Sequence, residues 1–165
     1  QDYGEALKWY RKAAEQGYAD AQYGLGISYH FGQGVPHDYG EALKWYRKAA
    51  EGGNIDAHYS LGIASLFGQG VPQDYGEAVK WFREAADQGH SGAQYNLGVA
   101  YENGRGVPQD FSLAYFWFSL SASKSTDKDY NRRKSSRDDT ARKLTPEQLT
   151  KVQQMTREWE AKHPR

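Results

Sequence analysis

The sequence contains no cysteine. That removes disulfide frameworks and cysteine-based metal or redox sites. It leaves the compartment open, because such a composition suits oxidising and reducing surroundings alike. There is no charge excess either: 21 basic residues balance 21 acidic ones over 165 residues. A neutral chain has no long-range attraction for nucleic acid or an anionic membrane surface. No apolar run approaches the roughly 20 residues needed to cross a bilayer, so membrane insertion is not expected. The five histidines, His30, His37, His58, His90 and His163, have no ligand spacing with one another or with a carboxylate, and no metal or cofactor is expected. No pair of carboxylates can be argued to face a pocket, and no catalytic residue is assigned. Ser121-x-x-Lys124 and Ser125-x-x-Lys128 have the spacing of a serine–lysine nucleophile pair. The Ser-Asp-Asn and Lys-Thr-Gly elements that this chemistry also requires are missing.

What the chain does contain is a duplication. Asp2, Asp38, Asp74 and Asp110 fix a period of 36 residues, and 27 of the 36 positions from Asp2 to His37 are identical in Asp38 to Gln73. A period of this size predicts stacked supersecondary units that each touch their neighbours, rather than one closed globule. The boundaries read as a lone second helix at 1–16, full units at 18–52, 54–88 and 90–123, and a C-terminal capping segment at 124–165. The chain opens in the middle of a unit, so further sequence is expected to precede it.

Within each unit the pattern is helix, six-residue loop, helix, short glycine turn. Residues 2–16 place Ala6, Trp9 and Ala13 on one stripe and Tyr3, Leu7, Tyr10 and Ala14 on the next, with Asp2 as cap and Gly17 as stop. Residues 19–31 form the next helix, with Ala21, Leu25 and Tyr29 buried. Gly26 recurs as Gly62 and Gly98. A mid-helix glycine costs about 1 kcal/mol relative to alanine, so its return implies a close helix approach. The loop Gly32-Gln33-Gly34-Val35-Pro36-His37 stops the helix, and Val35 is expected to plug the pair. These Gly-rich loops follow a helix rather than a strand and carry no Lys-Ser/Thr, which argues against phosphate binding.

The last unit departs from the pattern: Lys80 becomes Phe116 and Arg83 becomes Ser119. An apolar face where the other copies are charged must be covered, and the C-terminal segment is the expected cover. That segment reads as a charged helix at about 127–143, anchored by Tyr130, Ala141 and Leu144. Its Arg132-Arg133-Lys134 and Asp138-Asp139 form a solvated face. A second helix starts at Thr145-Pro146-Glu147-Gln148, with Leu149, Val152 and Trp159 buried and Met155 beside them.

The unit Ala-x3-Leu-Gly-x2-Tyr, Gly-x-Gly-Val-Pro-x-Asp, Ala-x2-Trp-Tyr-x2-Ala-Ala resembles the Sel1-like repeat, a relative of the tetratricopeptide repeat. The resemblance covers residues 1–123, and the tail resembles the ending common in bacterial members. It implies an all-α fold, an α/α superhelix (solenoid) with a capping helix pair, acting as an adaptor between proteins. The disulfide-locked repeats of cysteine-rich relatives do not carry over. By the same similarity, the first helix of each unit lines a concave groove that holds a protein or peptide partner.

The expected groove residues are Tyr23, Ile27 and His30, then Tyr59, Ile63 and Leu66, then Tyr95, Asn96, Val99, Glu102 and Asn103. The tyrosines recur unchanged and form a ladder that serves either ligand contact or packing between repeats. Ile27, Ile63 and Val99 make an apolar floor. The residues that differ between copies carry specificity: Gly24, Ser60 and Asn96; His30, Leu66 and Glu102; Phe31, Phe67 and Asn103. Asn96 could bond a peptide backbone. Ser65 breaks the Tyr29/Tyr101 pattern, which predicts a gap there, filled by a neighbour or open as a pocket. The basic residues Lys8, Arg11, Lys12, Lys44, Arg47, Lys48, Lys80 and Arg83 interleave with glutamates, so Glu–Lys pairs are expected in place of nucleic-acid binding. A monomeric, non-enzymatic scaffold is the expected function. An enzyme or a binder of peptidoglycan-like envelope polymer is the alternative.

Overall fold

The computed structural model describes residues 3–123 and 129–163, and side chains from residue 7 onward within these. The expected Asp2 cap, and Lys124, Ser125 and Lys128 of the two serine–lysine matches, lie outside the described residues. Among the described residues there are nine α-helices: α1 Tyr3–Glu15, α2 Ala19–Phe31, α3 Tyr39–Glu51, α4 Ile55–Phe67, α5 Tyr75–Asp87, α6 Ser91–Asn103, α7 Phe111–Ser123, α8 Tyr130–Ala141 and α9 Pro146–Lys162. The chain forms two compact units, Gln1–Trp81 and Phe82–Arg165.

The punctuation follows from side-chain chemistry and repeats almost unchanged. The left-handed residues Gly32, Gly68 and Gly104, with φ between 65° and 69°, close α2, α4 and α6. Their N–H groups donate to Ser28, Ala64 and Ala100 carbonyls, a geometry that glycine adopts without steric cost. The chain then turns back: the amides of Asp38, Asp74 and Asp110 each donate at 2.9 Å to the carbonyls of Tyr29, Ser65 and Tyr101. The same aspartates cap the helices that follow, accepting from the amides of Glu41, Glu77 and Leu113.

In the first unit, α1 and α3 have the same 13-residue sequence but not the same burial. Tyr46 on α3 is 2% exposed, whereas Tyr10 on α1 is 46% exposed and Trp9 is 66% exposed. Tertiary neighbours, and not local sequence, decide the burial of these rings. The core gathers Ala42, Leu43, Tyr46 and Ala49 of α3 with Ala57, Leu61 and Ala64 of α4, and Tyr23, Ile27 and Val71 pack on it. Val71 thus takes the plugging role expected of the loop valine. Gly26 explains itself here, because a Cβ at that position would lie 2.6 Å from the Tyr46 ring.

In the second unit, Gly98 repeats this: a Cβ there would lie 2.5 Å from Phe118, which is itself fully buried. Gln94 is buried, and its Nε2 donates at 3.1 Å to the Ala86 carbonyl, tying α6 to α5. The apolar face of α7 is covered as the sequence requires. Tyr115, Phe116 and Trp117 are all buried, with α8 and α9 both packed on α7.

Three readings of the tail need correction. Arg133 is 6% exposed, so the Arg132-Arg133-Lys134 run is not wholly a solvated face; Arg133 turns inward, with Asp129 at 3.8 Å. Tyr130 is 40% exposed, so it does not anchor the core. On α9 the fully buried residue is Val152, with Leu149 and Trp159 half-buried.

The α9 start carries the full capping box, with Thr145 Oγ1 accepting from the Gln148 amide and Gln148 Oε1 accepting from the Thr145 amide. Thr145→Ala is expected to destabilise the second unit by about 1 kcal/mol. Hydrogen exchange should show faster loss of protection at the first turn of α9 than elsewhere.

Candidate functional site

On α2 the side chains that keep some exposure include Tyr23, Ile27, His30 and Phe31, with Tyr23 and Ile27 also packed on the core; on α4 they include Tyr59, Ile63, Leu66 and Phe67. The two helices touch: the Tyr23 and Ser60 hydroxyls are 3.4 Å apart, and Asn54 Nδ2 donates to Asp20 at 2.8 Å. Tyr23 stacks obliquely on Tyr46 at 5.5 Å, and burial is the main cause raising its pKa. Tyr23 is therefore engaged by the next first helix. Ile27, Tyr59, Ile63 and Leu66 are half-buried, whereas Phe31 is 62% and Phe67 is 64% exposed. These two phenylalanines hold equivalent positions in successive repeats. In the sequence they stand out only as members of the position where Asn103 replaces them.

His30 lies among rings, 4.5 Å from Phe31, 5.2 Å from Tyr39 and 6.2 Å from Tyr46. Burial, then the neighbouring His37, lowers its pKa from the ordinary 6.5. A base whose pKa is lower in the folded state binds its proton better when unfolded. Stability should therefore decline as pH falls through 6.5 toward the lowered value and level off below it. Urea midpoints measured from pH 7.5 to 5 should show that slope, and His30→Gln should flatten it.

The second unit places Tyr95 differently from an open ladder. Arg132 of α8 stands over the Tyr95 ring at 4.7 Å, and Tyr95 also meets Phe118 at 5.4 Å. Arg132 follows Tyr95 by 37 positions (132 − 95), the separation that relates Ser60 to Tyr23. So α8 stands against α6 as α4 stands against α2. Glu102 is likewise taken up: Lys143 Nζ donates to its Oε1 at 2.9 Å and Thr140 Oγ1 at 3.3 Å. Asn103 Nδ2 donates within its own helix to the Val99 carbonyl at 2.8 Å. Asn96 and Val99 are half-buried.

Six of the basic residues of the second helices are spent locally. Lys44 pairs with Glu41 and Lys80 with Glu77, each three residues apart and solvent-exposed. Lys12 lies 5.9 Å from the Trp9 ring and Lys48 4.6 Å from the Trp45 ring. Arg11 donates to the Tyr29 hydroxyl at 3.1 Å, and Arg83 donates to that of Tyr101. At Ser65 the expected gap is present as an open cleft of about 360 Å³. No helix among the described residues is long and apolar enough to cross a membrane, and no described cluster of histidine and carboxylate could hold a metal ion.

Comparison with known proteins decides the family. The Sel1 repeat model matches residues 1–18, 19–54, 55–90 and 91–125. The chain belongs to the Sel1 repeat family. One similar solved structure is a protective antigen of uropathogenic Escherichia coli with an SLR fold, 38% identical, with a TM-score of 0.82 over 94% of this chain. This chain spans 32% of that antigen's length. Another is a Sel1 repeat protein from Oxalobacter formigenes, 35% identical, with a TM-score of 0.71 over 79% of this chain and 98% of that one. None of the curated proteins matches. The fold class is thus the all-α repeat superhelix of this family. Sel1 repeat proteins serve in general as protein-interaction scaffolds, and their fold is typically non-catalytic.

Proposed function

We propose that this Sel1 repeat protein is a scaffold that holds an apolar segment of a partner protein against the α2 and α4 face. The observation that carries the reading is the recurrence of Phe31 and Phe67, both about two-thirds exposed, at one position of consecutive repeats. Ile27 and Ile63 stand one helical turn before them. Large aromatic side chains held open to water on rigid helices are the residue type that anchors interfaces. Tyr59, Leu66 and His30 flank this strip, and Tyr23 braces α2 against α4. On α6 the corresponding face carries Asn96, Val99, Glu102 and Asn103, with Glu102 and Tyr95 already engaged by the tail. We assign these residues, and Tyr95, a secondary part in partner contact.

A displayed library of random peptides, selected on the purified protein, tests this. Enriched peptides should be rich in apolar and aromatic residues, and the double substitution Phe31→Ser/Phe67→Ser should weaken them at least tenfold while helix content stays unchanged. Each truncation removes a contact of 1–2 kcal/mol typical of an interface aromatic. Equal affinity for the double variant would rule out this face.

A further inference from the structure

Position 65 is the place where one repeat lacks a side chain that its siblings keep. In the first copy, Tyr29 packs beside Leu7, Leu25 and Trp45, and its hydroxyl accepts from Arg11 at 3.1 Å. In the third, Tyr101 is 7% exposed and its hydroxyl accepts from Arg83. In the second, the residue is Ser65. The surrounding positions are nonetheless retained: Leu43, Leu61, Trp81 and Arg47 stand 36 residues after Leu7, Leu25, Trp45 and Arg11. All four line the cleft of about 360 Å³, with Val71 and Pro72 at its side. The backbone is not displaced, because the Asp74 amide still reaches the Ser65 carbonyl at 2.9 Å, as in the other two copies. The hole is therefore the mould of a missing tyrosine. Arg47 is exposed, and no described residue pairs with its guanidinium.

We infer that this cleft is a binding site for the phenol ring of a tyrosine on a partner protein, with the ring between Leu43, Leu61 and Trp81 and its hydroxyl accepting from Arg47. The molecule supplies the precedent twice for the arginine, since Arg11 and Arg83 donate to the Tyr29 and Tyr101 hydroxyls, and once for the apolar walls, which pack with Tyr29. The charge balance selects a neutral phenol over a phosphorylated one. Asp74 and Glu77 also line the cleft, so a dianion would meet two carboxylates for one guanidinium. Neither Phe31 nor Phe67 lines the site, and its test does not depend on that face. For a partner it relies only on the family's general role as a scaffold.

The experiment is an NMR titration of the purified chain with three probes: 4-methylphenol, toluene and N-acetyl-tyrosinamide. Saturable shifts are expected for 4-methylphenol at the amides of Leu61, Ser65, Val71 and Trp81. Toluene, which lacks the hydroxyl, should bind at least fivefold more weakly. N-acetyl-tyrosinamide should produce the same pattern as 4-methylphenol. Arg47→Met should bring 4-methylphenol down to the toluene level. Ser65→Tyr should abolish all three sets of shifts and raise Tm by roughly 4–8 °C, as a filled cavity does. Absence of saturable shifts, or shifts that persist in Ser65→Tyr, would overturn the proposal. Equal binding of toluene would overturn the Arg47 role and leave a plain apolar cavity. Binding of 4-methylphenol without N-acetyl-tyrosinamide would overturn the assignment to a protein side chain.

Discussion

Gly98→Ala is expected to destabilise the second unit by about 2 kcal/mol, although alanine is the better helix former by about 1 kcal/mol. The added methyl would lie 2.5 Å from two atoms of the Phe118 ring. That ring cannot move aside, because it is fully buried and already meets Tyr95. The strain must go into the α6–α7 spacing, and overpacking of this kind costs about 1–3 kcal/mol. Thermal unfolding would measure the loss. The distinctive outcome is in the double variant: Phe118→Leu removes the ring that clashes, so Gly98→Ala/Phe118→Leu should be more stable than the sum of the two single losses predicts. An additive pair would mean that the glycine serves something other than this contact.

Val152→Asp is expected to cost about 3 kcal/mol or more and to release α9 from α7. Val152 is 1% exposed, and an unpaired carboxylate in such a place is not tolerated. With α9 displaced, some of the buried surface of Tyr115, Phe116 and Trp117 would meet water. A dye that reports exposed apolar surface should then brighten, and unfolding should begin at lower urea. Val152→Thr, nearly the same shape, should lose much less. The contrast separates burial of charge from any change in volume.

How much of this is legible in the sequence depends on what each residue is compared with. The period of 36 exposes the helices, the glycine stops and the aspartate caps because each signal is local and appears several times. The cover over Phe116 is also readable, since a charged position turning apolar demands a partner. The Ser65 gap is readable for the same reason: a tyrosine missing from an otherwise constant position leaves its space behind. What the sequence does not disclose is depth of burial. Tyr10 and Tyr46 sit in identical helices yet differ from half-exposed to buried, because only tertiary neighbours distinguish them. Arg133 reads as part of a solvated charge run, but the turn of α8 on which it sits faces inward. The tyrosine ladder is ambiguous from sequence, because a recurring tyrosine serves packing and binding equally well. The structure shows contacts of Tyr23 with Tyr46 and Ser60, and of Tyr95 with Phe118 and Arg132.

The central claim is that a partner lies on the α2 and α4 face. A photo-reactive amino acid placed at Ile63, and separately at Lys44 on the solvated side of α3, tests it in the cells that make the protein. A discrete protein adduct of one mass is expected from position 63 and none from position 44. Adducts from position 44 alone, or no adduct from either, would contradict the account.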